Sequence, residues 1–291
     1  MRFLGLILIA VSAVATAQSP VTLVHVHGLA YSADGKRLMI PSHHGLAVYE
    51  NGKWSKAPGP QHDYMGFAAT AQGVYSSGHP APGLGLVNPF GLLRSRDGAK
   101  TWDKLGLEGE SDFHLLATGW NTNAVYVWNA APSSRIAQPG LAYTLNDGLV
   151  WKPARASGLD GEPRALAVHP DDAATVALAT TNGVFLSRDS GERFAPILSG
   201  VEGLSVFFEL DGKRIWYGTY DGKARLVRAP LAGGAAAAVK LPALDDDAVA
   251  YIAQNPKARK QYAIGTYRRS VFLTRDGGLT WTAIAERGNT K

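Results

Sequence analysis

The feature of this sequence that most constrains its fold is an eight-residue pattern that occurs four times. It reads Ser/Thr-x-Asp/Asn-x-Gly-x-Thr-Trp and is complete at 274–281. The copies at 95–102, 144–151 and 187–194 depart from it at one or more positions. In such a segment the Asp or Asn side chain accepts hydrogen bonds from turn amides, and Gly supplies a positive φ. Each copy therefore predicts a tight turn between two strands, followed by an aromatic residue that packs on a neighbouring sheet.

The spacing of these segments gives the number of repeats. Starting from Trp54, the aromatic residues that end successive units are 48, 49 and 43 residues apart, whereas Phe194 and Trp281 are 87 residues apart. The last interval equals two periods, and strand-like residues within 204–241 supply the missing unit. With a first unit that turns at 50–53, the chain has six units, each with about four short strands. A period in the forties is typical of propeller blades, so we predict an all-β, six-bladed β-propeller.

The repeated pattern resembles the Asp-box, or BNR, repeat of sialidase-like β-propellers. The resemblance implies a structural role, without chemistry, for Asp97, Asn146, Asp189, Asp276, Trp102, Trp151 and Trp281. The segments 25–29, 43–45 and 77–80 also resemble a group of exported bacterial Asp-box proteins that are labelled glycosyl hydrolases. These resemblances imply the fold, and an Asp-box alone does not imply a sialidase.

The N-terminus has the pattern of an export signal. Arg2 precedes an apolar run at 3–10, and Ala15-Thr16-Ala17 forms a small-residue cleavage site. The run is shorter than the roughly 20 apolar residues of a spanning helix. We therefore predict a signal peptide at 1–17, a single six-bladed propeller domain at 18–291, and an exported protein, periplasmic or extracellular, without a membrane span.

Composition excludes several classes of site and partner. The chain has no cysteine, which excludes disulfides and thiolate metal sites. Its formal net charge of +5 is dispersed, whereas nucleic-acid binding usually needs a basic stripe. No Walker loop and no G-x-G-x-x-G opening a helix occurs, so we expect no nucleotide cofactor. The expected partners are a small ligand, a glycan or a metal, with no nucleic acid, and we expect a monomer.

The histidines are concentrated in the first three units, because seven of the eight lie within residues 1–114. Alignment of the innermost strands places His27, Met65, His114 and Arg164 at equivalent positions near the mouth of the central channel. The long insertions 79–90 and 130–140 are expected to wall a pocket over units two and three.

This concentration predicts a metal or ligand site. Imidazole binds zinc and copper, and a thioether suits Cu(I), so copper or zinc is the expected cofactor. The predicted metal ligands are His25, His27, His43, His44, His79, His114 and Met65. The predicted ligand-binding residues are Asp63, Asp112, Arg164, Tyr267 and Arg268. Any single one of these histidines can instead be structural, as we expect for His62 and His169.

Two other functions stay open beside metal or small-ligand binding. The sialidase-like resemblance implies a glycoside hydrolase, but that chemistry needs three arginines that grip the sialate carboxylate, a tyrosine nucleophile and a carboxylate. Arg164 and Arg268 can face the channel and a third arginine is missing, so another glycosidase activity fits better than a sialidase. The other alternative is a non-catalytic assembly or interaction scaffold, which resembles the propellers that help to build photosystem II.

Overall fold

The computed structural model describes residues 21–291, and the predicted signal peptide lies outside this range. Within it the chain forms six antiparallel sheets and no α-helix, and the sheets are the blades of a six-bladed β-propeller. The prediction of an all-β, six-bladed propeller is therefore confirmed. Over residues 21–291 there is no helical segment long and apolar enough to cross a bilayer.

Each blade is a meander whose first strand lines the channel. Blade 1 contains β1 (Ala30–Tyr31), β2 (Arg37–Ser42), β3 (Gly45–Glu50) and β4 (Lys53–Lys56). Blade 2 contains β5 (Asp63–Thr70), β6 (Gly73–His79), β7 (Leu92–Ser95) and β8 (Asp103–Gly106). Blade 3 contains β9 (Leu116–Thr118), β10 (Val125–Asn129), β11 (Gly140–Thr144) and β12 (Lys152–Pro153).

The second half of the ring repeats this order and adds one strand. Blade 4 contains β13 (Pro163–Val168), β14 (Val176–Thr180), β15 (Gly183–Ser187) and β16 (Ala195–Ser199). Blade 5 contains β17 (Glu202–Phe208), β18 (Arg214–Tyr220), β19 (Ala224–Pro230) and β20 (Ala237–Val239). Blade 6 contains β21 (Val249–Gln254), β22 (Tyr262–Thr266), β23 (Val271–Thr274), β24 (Thr282–Glu286) and β25 (Asn289–Thr290).

The apolar core lies between blades rather than inside one central mass. Six buried clusters fill the six blade-to-blade interfaces. The interface of blades 3 and 4, for example, joins Tyr126 and Leu141 to Leu178 and Phe185. Each sheet is thus buried on both faces, which explains why its strands read as nearly continuous runs of Val, Leu, Ala and Ile.

The four repeated turns share one set of hydrogen bonds. In the first of them, Asp97 accepts bonds from the amides of Lys100 and Thr101 and from the Ser95 hydroxyl. Asn146, Asp189 and Asp276 make corresponding contacts in their own turns. The two residues after each of these side chains have a positive φ, even where one of them is Ala99.

The aromatic residue that ends a repeat packs on the preceding blade. Trp151 of blade 3 lies in one cluster with Leu92 and Leu105 of blade 2. The indole nitrogen of Trp281 in blade 6 donates to the Lys240 carbonyl, which belongs to blade 5. The aromatic residues therefore stabilise the contacts between neighbouring blades, as the pattern predicts.

The start of the described chain closes the ring against blade 6. Thr22 pairs with Asn289, and the Leu23 amide donates to the Gly288 carbonyl at 2.8 Å. An Arg269 guanidinium N–H donates to the Val24 carbonyl at 2.9 Å. These contacts hold residues 21–24 in place. The next residue is His25, the first histidine at the mouth of the channel where the chain enters the inner strands; we call this mouth the rim.

Candidate functional site

Three imidazole rings converge where the chain enters blade 1 and where β2 ends. His25 and His27 precede β1, and His43 follows β2 in the turn to β3. One nitrogen of each ring lies within 4.8 Å of the other two. The centroid of the His43 ring lies 4.3 Å from that of His25 and 4.9 Å from that of His27. We call these three residues the first cluster.

A close approach of two backbones places the first cluster beside blade 2. Gly28 forms a parallel bridge with Phe67 on β5, and a Cβ atom at Gly28 would lie only 2.8 Å from the Phe67 Cβ. Glycine permits this approach because it has no side chain. His27 is thereby brought next to Asp63, the first residue of β5.

The Asp63 carboxylate orients the first cluster. Its Oδ2 accepts a hydrogen bond of 2.6 Å from Nδ1 of His43. Its Oδ1 lies 3.8 Å from Nε2 of His27. Oδ1 of Asp63 and Nε2 of His27 are both buried and have no hydrogen-bond partner among the described residues. Because buried polar atoms are almost always paired, they mark a position for a further group.

The protonation state of His27 suits a metal ligand. Burial is the main cause that lowers the pKa of His27 to about 4. The Asp63 carboxylate opposes this effect, and the rings of His43 and His25 add to it. The ring is therefore neutral at pH 7, so a metal ion need not displace a proton to bind it.

A second cluster joins blades 2 and 3. His79 ends β6, while Asp112 and His114 precede β9. Oδ2 of Asp112 lies 3.1 Å from Nε2 of His79 and 2.6 Å from Nε2 of His114. The other carboxylate oxygen of Asp112 is buried and has no partner among residues 21–291. One ligand atom from each of these three residues lies within 4.8 Å of the others.

The contacts in the second cluster set the charges of its members. The hydrogen bond to Asp112 raises the pKa of His114 above its usual value. Burial acts to raise the pKa of Asp112, but the hydrogen bonds and charges of His114 and His79 outweigh it and hold that pKa below its usual value. Asp112 is thus an anion at neutral pH, in contact with two imidazoles.

Of the remaining predicted metal ligands, His44 lies outside both clusters, and Met65 is on the inner strand of blade 2. His44 is exposed and lines a separate small groove with Thr22 and Lys56. Met65 is buried on β5, where its backbone pairs with that of Ser77. A register shift between Met65 and Ala68 marks a β-bulge. Because a bulge re-aims the side chains around it, the channel at this blade is lined by Gly66 and not by Met65.

The predicted ligand-binding residues of the other blades divide between the channel and the surface. Arg164 and Tyr267 line the channel cavity, which has a volume of about 480 Å³ and also contacts His27 and His114. The Arg164 guanidinium lies 3.5 Å from the Glu202 carboxylate. The side chain of Arg268 is exposed and outside the cavity lining, and its backbone amide donates to Asp247. Most of the channel wall beyond the mouth is apolar.

The long insertions, which we expect to wall a pocket over blades 2 and 3, do not contribute residues to the lining of the central channel. The one at 79–90 contributes Asn88, whose Oδ1 lies 2.7 Å from Nδ1 of His79. The one at 130–140 is tied down by Ser134, which donates two hydrogen bonds to Glu110. The role of Asn88 had no signal in the sequence beyond its position in an insertion.

Sequence reasoning also missed a buried carboxylate at the opposite mouth of the channel. Glu209 accepts hydrogen bonds from Trp216, Arg228 and Tyr262 at 2.6–2.9 Å. Burial acts to raise its pKa, but these donors outweigh burial and hold the pKa below its usual value. These contacts join blade 5, which supplies Trp216 and Arg228, to blade 6, which supplies Tyr262. The only feature of the sequence that could have indicated this role is the position of Glu209, an acidic residue directly after the apolar run of β17.

His62 and His169 have structural contacts, as expected. Nδ1 of His62 accepts the Ala81 amide. His169 donates to the Gly212 carbonyl from Nε2 and accepts the amides of Asp171 and Asp172 at Nδ1. These rings hold loops in place and lie apart from the two clusters.

Comparison with known proteins identifies the fold. No family model and no curated protein matches the chain. A GH74 enzyme of Niastella koreensis is 16% identical with a TM-score of 0.64, over 91% of this chain and 46% of that one. This chain therefore spans less than half the length of that enzyme.

Two shorter similar structures are not described as enzymes. A chain of a nidogen/laminin complex is 11% identical with a TM-score of 0.62, over 88% of this chain and 95% of that one. YCF48 bound to a D1 peptide is 14% identical with a TM-score of 0.51, over 91% and 83%. At these identities the likeness shows that the chain has a β-propeller fold in common with proteins of different function.

Proposed function

We propose that this protein is an exported β-propeller that binds a transition-metal ion, zinc or copper, at the first cluster. His25, His27 and His43 supply the ligands, and Asp63 orients the ring of His43. The observation that carries the proposal is the convergence of three imidazoles, together with a His27 nitrogen and an Asp63 oxygen that are buried and have no partner among residues 21–291.

The donor set supports a transition metal over other cations. Imidazole suits zinc, copper, iron and nickel, whereas calcium and magnesium prefer oxygen ligands. A ligating histidine commonly donates its other ring N–H to a carboxylate, and His43 makes this contact with Asp63. Ligand atoms within 4.8 Å of one another need only small side-chain rotations to reach zinc–nitrogen distances of about 2.0–2.1 Å.

A three-imidazole site leaves a coordination position for an exchangeable ligand. His27 also lines the channel cavity, where Arg164 lies at the same mouth. A metal at the first cluster would therefore be open to a small molecule from the channel side. The proposal accordingly includes binding of a small ligand next to the metal.

Export is part of the proposal and rests on residues 1–17 alone. The lack of cysteine fits an exported protein that relies on imidazole rather than thiolate to hold metal. We expect the chain that carries the metal to begin after Ala17.

The two other candidate functions have less support. The rim carboxylates Asp63 and Asp112 already contact imidazoles, and Arg164 lies beside Glu202. These contacts leave few free groups for glycosidase chemistry at this mouth. Neither the GH74 likeness nor that to YCF48 extends beyond the fold.

The adjacent residues His43 and His44 allow a matched test. Zinc content of the tag-free protein, measured by mass spectrometry after equilibrium dialysis, should fall sharply in His43→Ala. The expected loss of affinity is roughly 100-fold or more, because structural zinc sites gain about 2.5–4 kcal/mol per ligand. His44→Ala removes a neighbouring imidazole outside the cluster and should keep the affinity of the unchanged protein.

Equal zinc affinity in the two variants would overturn the proposal. A circular dichroism spectrum and a melting curve of the metal-free variants confirm that each is folded, because His43 is part of a surface turn.

A further inference from the structure

We propose that the rim holds two metal ions, and that the second is a divalent cation bound by His79, Asp112 and His114. This inference rests on the proposed function for the first ion only. The second site has its own residues, its own supporting contacts and a different chemical preference.

The first step of the argument is the contact pattern around Asp112. Both Nε2 atoms, of His79 and of His114, point at the same carboxylate oxygen, at 3.1 and 2.6 Å. Oδ1 of the same carboxylate is buried without a partner among the described residues. One ligand atom from each of these three residues thus lies within 4.8 Å of the others, next to a carboxylate whose second oxygen is unpaired among the described residues.

The second step concerns His79, which lies between two acceptors. Its Nδ1 faces Oδ1 of Asn88 at 2.7 Å, and its Nε2 faces Asp112. Nδ1 of the ring is thus held by the Asn88 side chain, and Nε2 is the nitrogen that faces the second cluster. Asn88 then has the role that Asp63 has for His43, which is to orient a ligating ring.

The third step is the repeat itself. In both clusters, a histidine at the end of the second strand of one blade contacts an aspartate that enters the next blade. His43 contacts Asp63 in this way, and His79 contacts Asp112. Asp63 and His79 are also register partners on β5 and β6, so their Cα atoms lie about 5 Å apart. The same histidine–aspartate contact therefore occurs between blades 1 and 2 and again between blades 2 and 3, so the two clusters lie side by side on the rim.

The ligand sets differ, and this difference defines the cation class. The second cluster offers two imidazoles and a carboxylate, a set that suits Zn²⁺ or Fe²⁺ and not Cu(I), which prefers soft ligands. The first cluster offers three imidazoles, which bind copper as well as zinc. The rim should therefore take up two divalent ions but only one Cu(I).

The experiment counts the ions on the mature, tag-free chain. Native mass spectrometry with Zn²⁺ should show two ions on the unchanged protein, one on His114→Ala and one on His43→Ala. The double variant should bind none, and His44→Ala should bind two. The His114 side chain is 61% exposed, so its removal is not expected to affect folding. Asp112→Asn keeps the shape of the side chain and should also lose one ion.

Each outcome separates this inference from the proposed function. A single zinc ion that is lost in His43→Ala and kept in His114→Ala overturns the second site and leaves the proposed function intact. A single ion lost only in His114→Ala overturns the proposed function and supports the second site. If the unchanged protein binds no zinc, both proposals are overturned, and the contacts in the second cluster are hydrogen bonds without a metal. Two Cu(I) ions per chain, measured under anaerobic conditions, would overturn the proposed cation class.

Discussion

The two halves of the rim use equivalent positions of the fold for different chemistry. Over blades 1–3 the entries to the inner strands carry His27, Asp63 and Asp112, each with a buried atom that lacks a partner in the described part of the chain. Over blades 4–6 Arg164 lies beside Glu202, and Asp247 accepts the backbone amides of Ala248 and Arg268. Among the described residues, these entry side chains of the second half contact one another or the backbone, and Ser205 Oγ is its one buried side-chain atom without a partner, whereas the first half has such atoms at three entry residues.

This difference shows that the propeller supplies positions and the sequence at those positions decides function. The same blade geometry that pairs an arginine with a glutamate on one side places imidazoles around an aspartate on the other. If the comparison is correct, metal effects should follow residues of blades 1–3 and be insensitive to residues of blades 4–6.

The largest expected effect is thermal stabilisation by zinc. A ligand at 100 times its Kd stabilises the folded state by about 2.7 kcal/mol, which corresponds to a Tm increase of roughly 5–10 °C for a chain of this size. His27→Ala should abolish the share of the increase that comes from the first cluster, and Arg164→Ala should preserve the whole increase. Differential scanning fluorimetry with and without zinc checks this prediction. An equal loss of the increase in both variants would remove the distinction between the two halves.

A smaller effect is expected when the orienting carboxylate is changed. Asp63→Asn keeps the size of the side chain but removes the charge behind His43, and loss of such a supporting contact typically weakens metal binding about 10- to 100-fold. Asp247→Asn is the control from blade 6, because its carbonyl oxygen can still accept the two amides. Isothermal titration calorimetry with zinc measures both. The comparison fails if Asp247→Asn weakens binding as much as Asp63→Asn does.

The smallest effect concerns the turns, which are shared by both halves and have no role in binding. Hydrogen bonds from the amide and hydroxyl of Thr101 lower the pKa of Asp97 to about 2, from an ordinary value of 3.8. A carboxyl with a lowered folded-state pKa contributes stability above its unfolded pKa, and this contribution is lost as the pH falls toward 2. Because Asp97 is exposed, the contribution is small.

The chain offers a natural reference for that turn, since Asn146 makes the corresponding bonds without titrating. Between pH 5 and pH 2, the Tm of Asp97→Asn should therefore fall by about one degree less than the Tm of the unchanged protein. Melting curves over this pH range test it, and identical slopes for the two proteins would show that the turn carboxylate does not contribute.

Most of the fold could be predicted from the sequence because the repeat is long and its turns are marked. For blade 4 the sequence predicts strands at 164–168, 175–180, 183–187 and 193–197. The first three lie within one residue of the observed strands, and the fourth, β16, begins two residues later. Outer strands are the least accurate because they pack on one neighbour only and their side chains carry little pattern.

The site was harder to predict because alternation along a strand assumes a regular register. Bulges at the starts of β5, β13, β17 and β21 break that regularity. The channel is consequently lined by Gly66 in place of Met65. The separation of His44 from His43 depends on a tight turn, and the contact of Asn88 with His79 depends on the path of a loop. Neither feature has a sequence signature.

The most direct test of the central claim is anomalous X-ray diffraction from crystals grown with zinc, recorded on both sides of the zinc absorption edge. We predict an anomalous peak about 2.0–2.1 Å from one nitrogen each of His25, His27 and His43. Crystals saturated with zinc that show no peak at this position, or peaks only at other surface residues, would contradict the account.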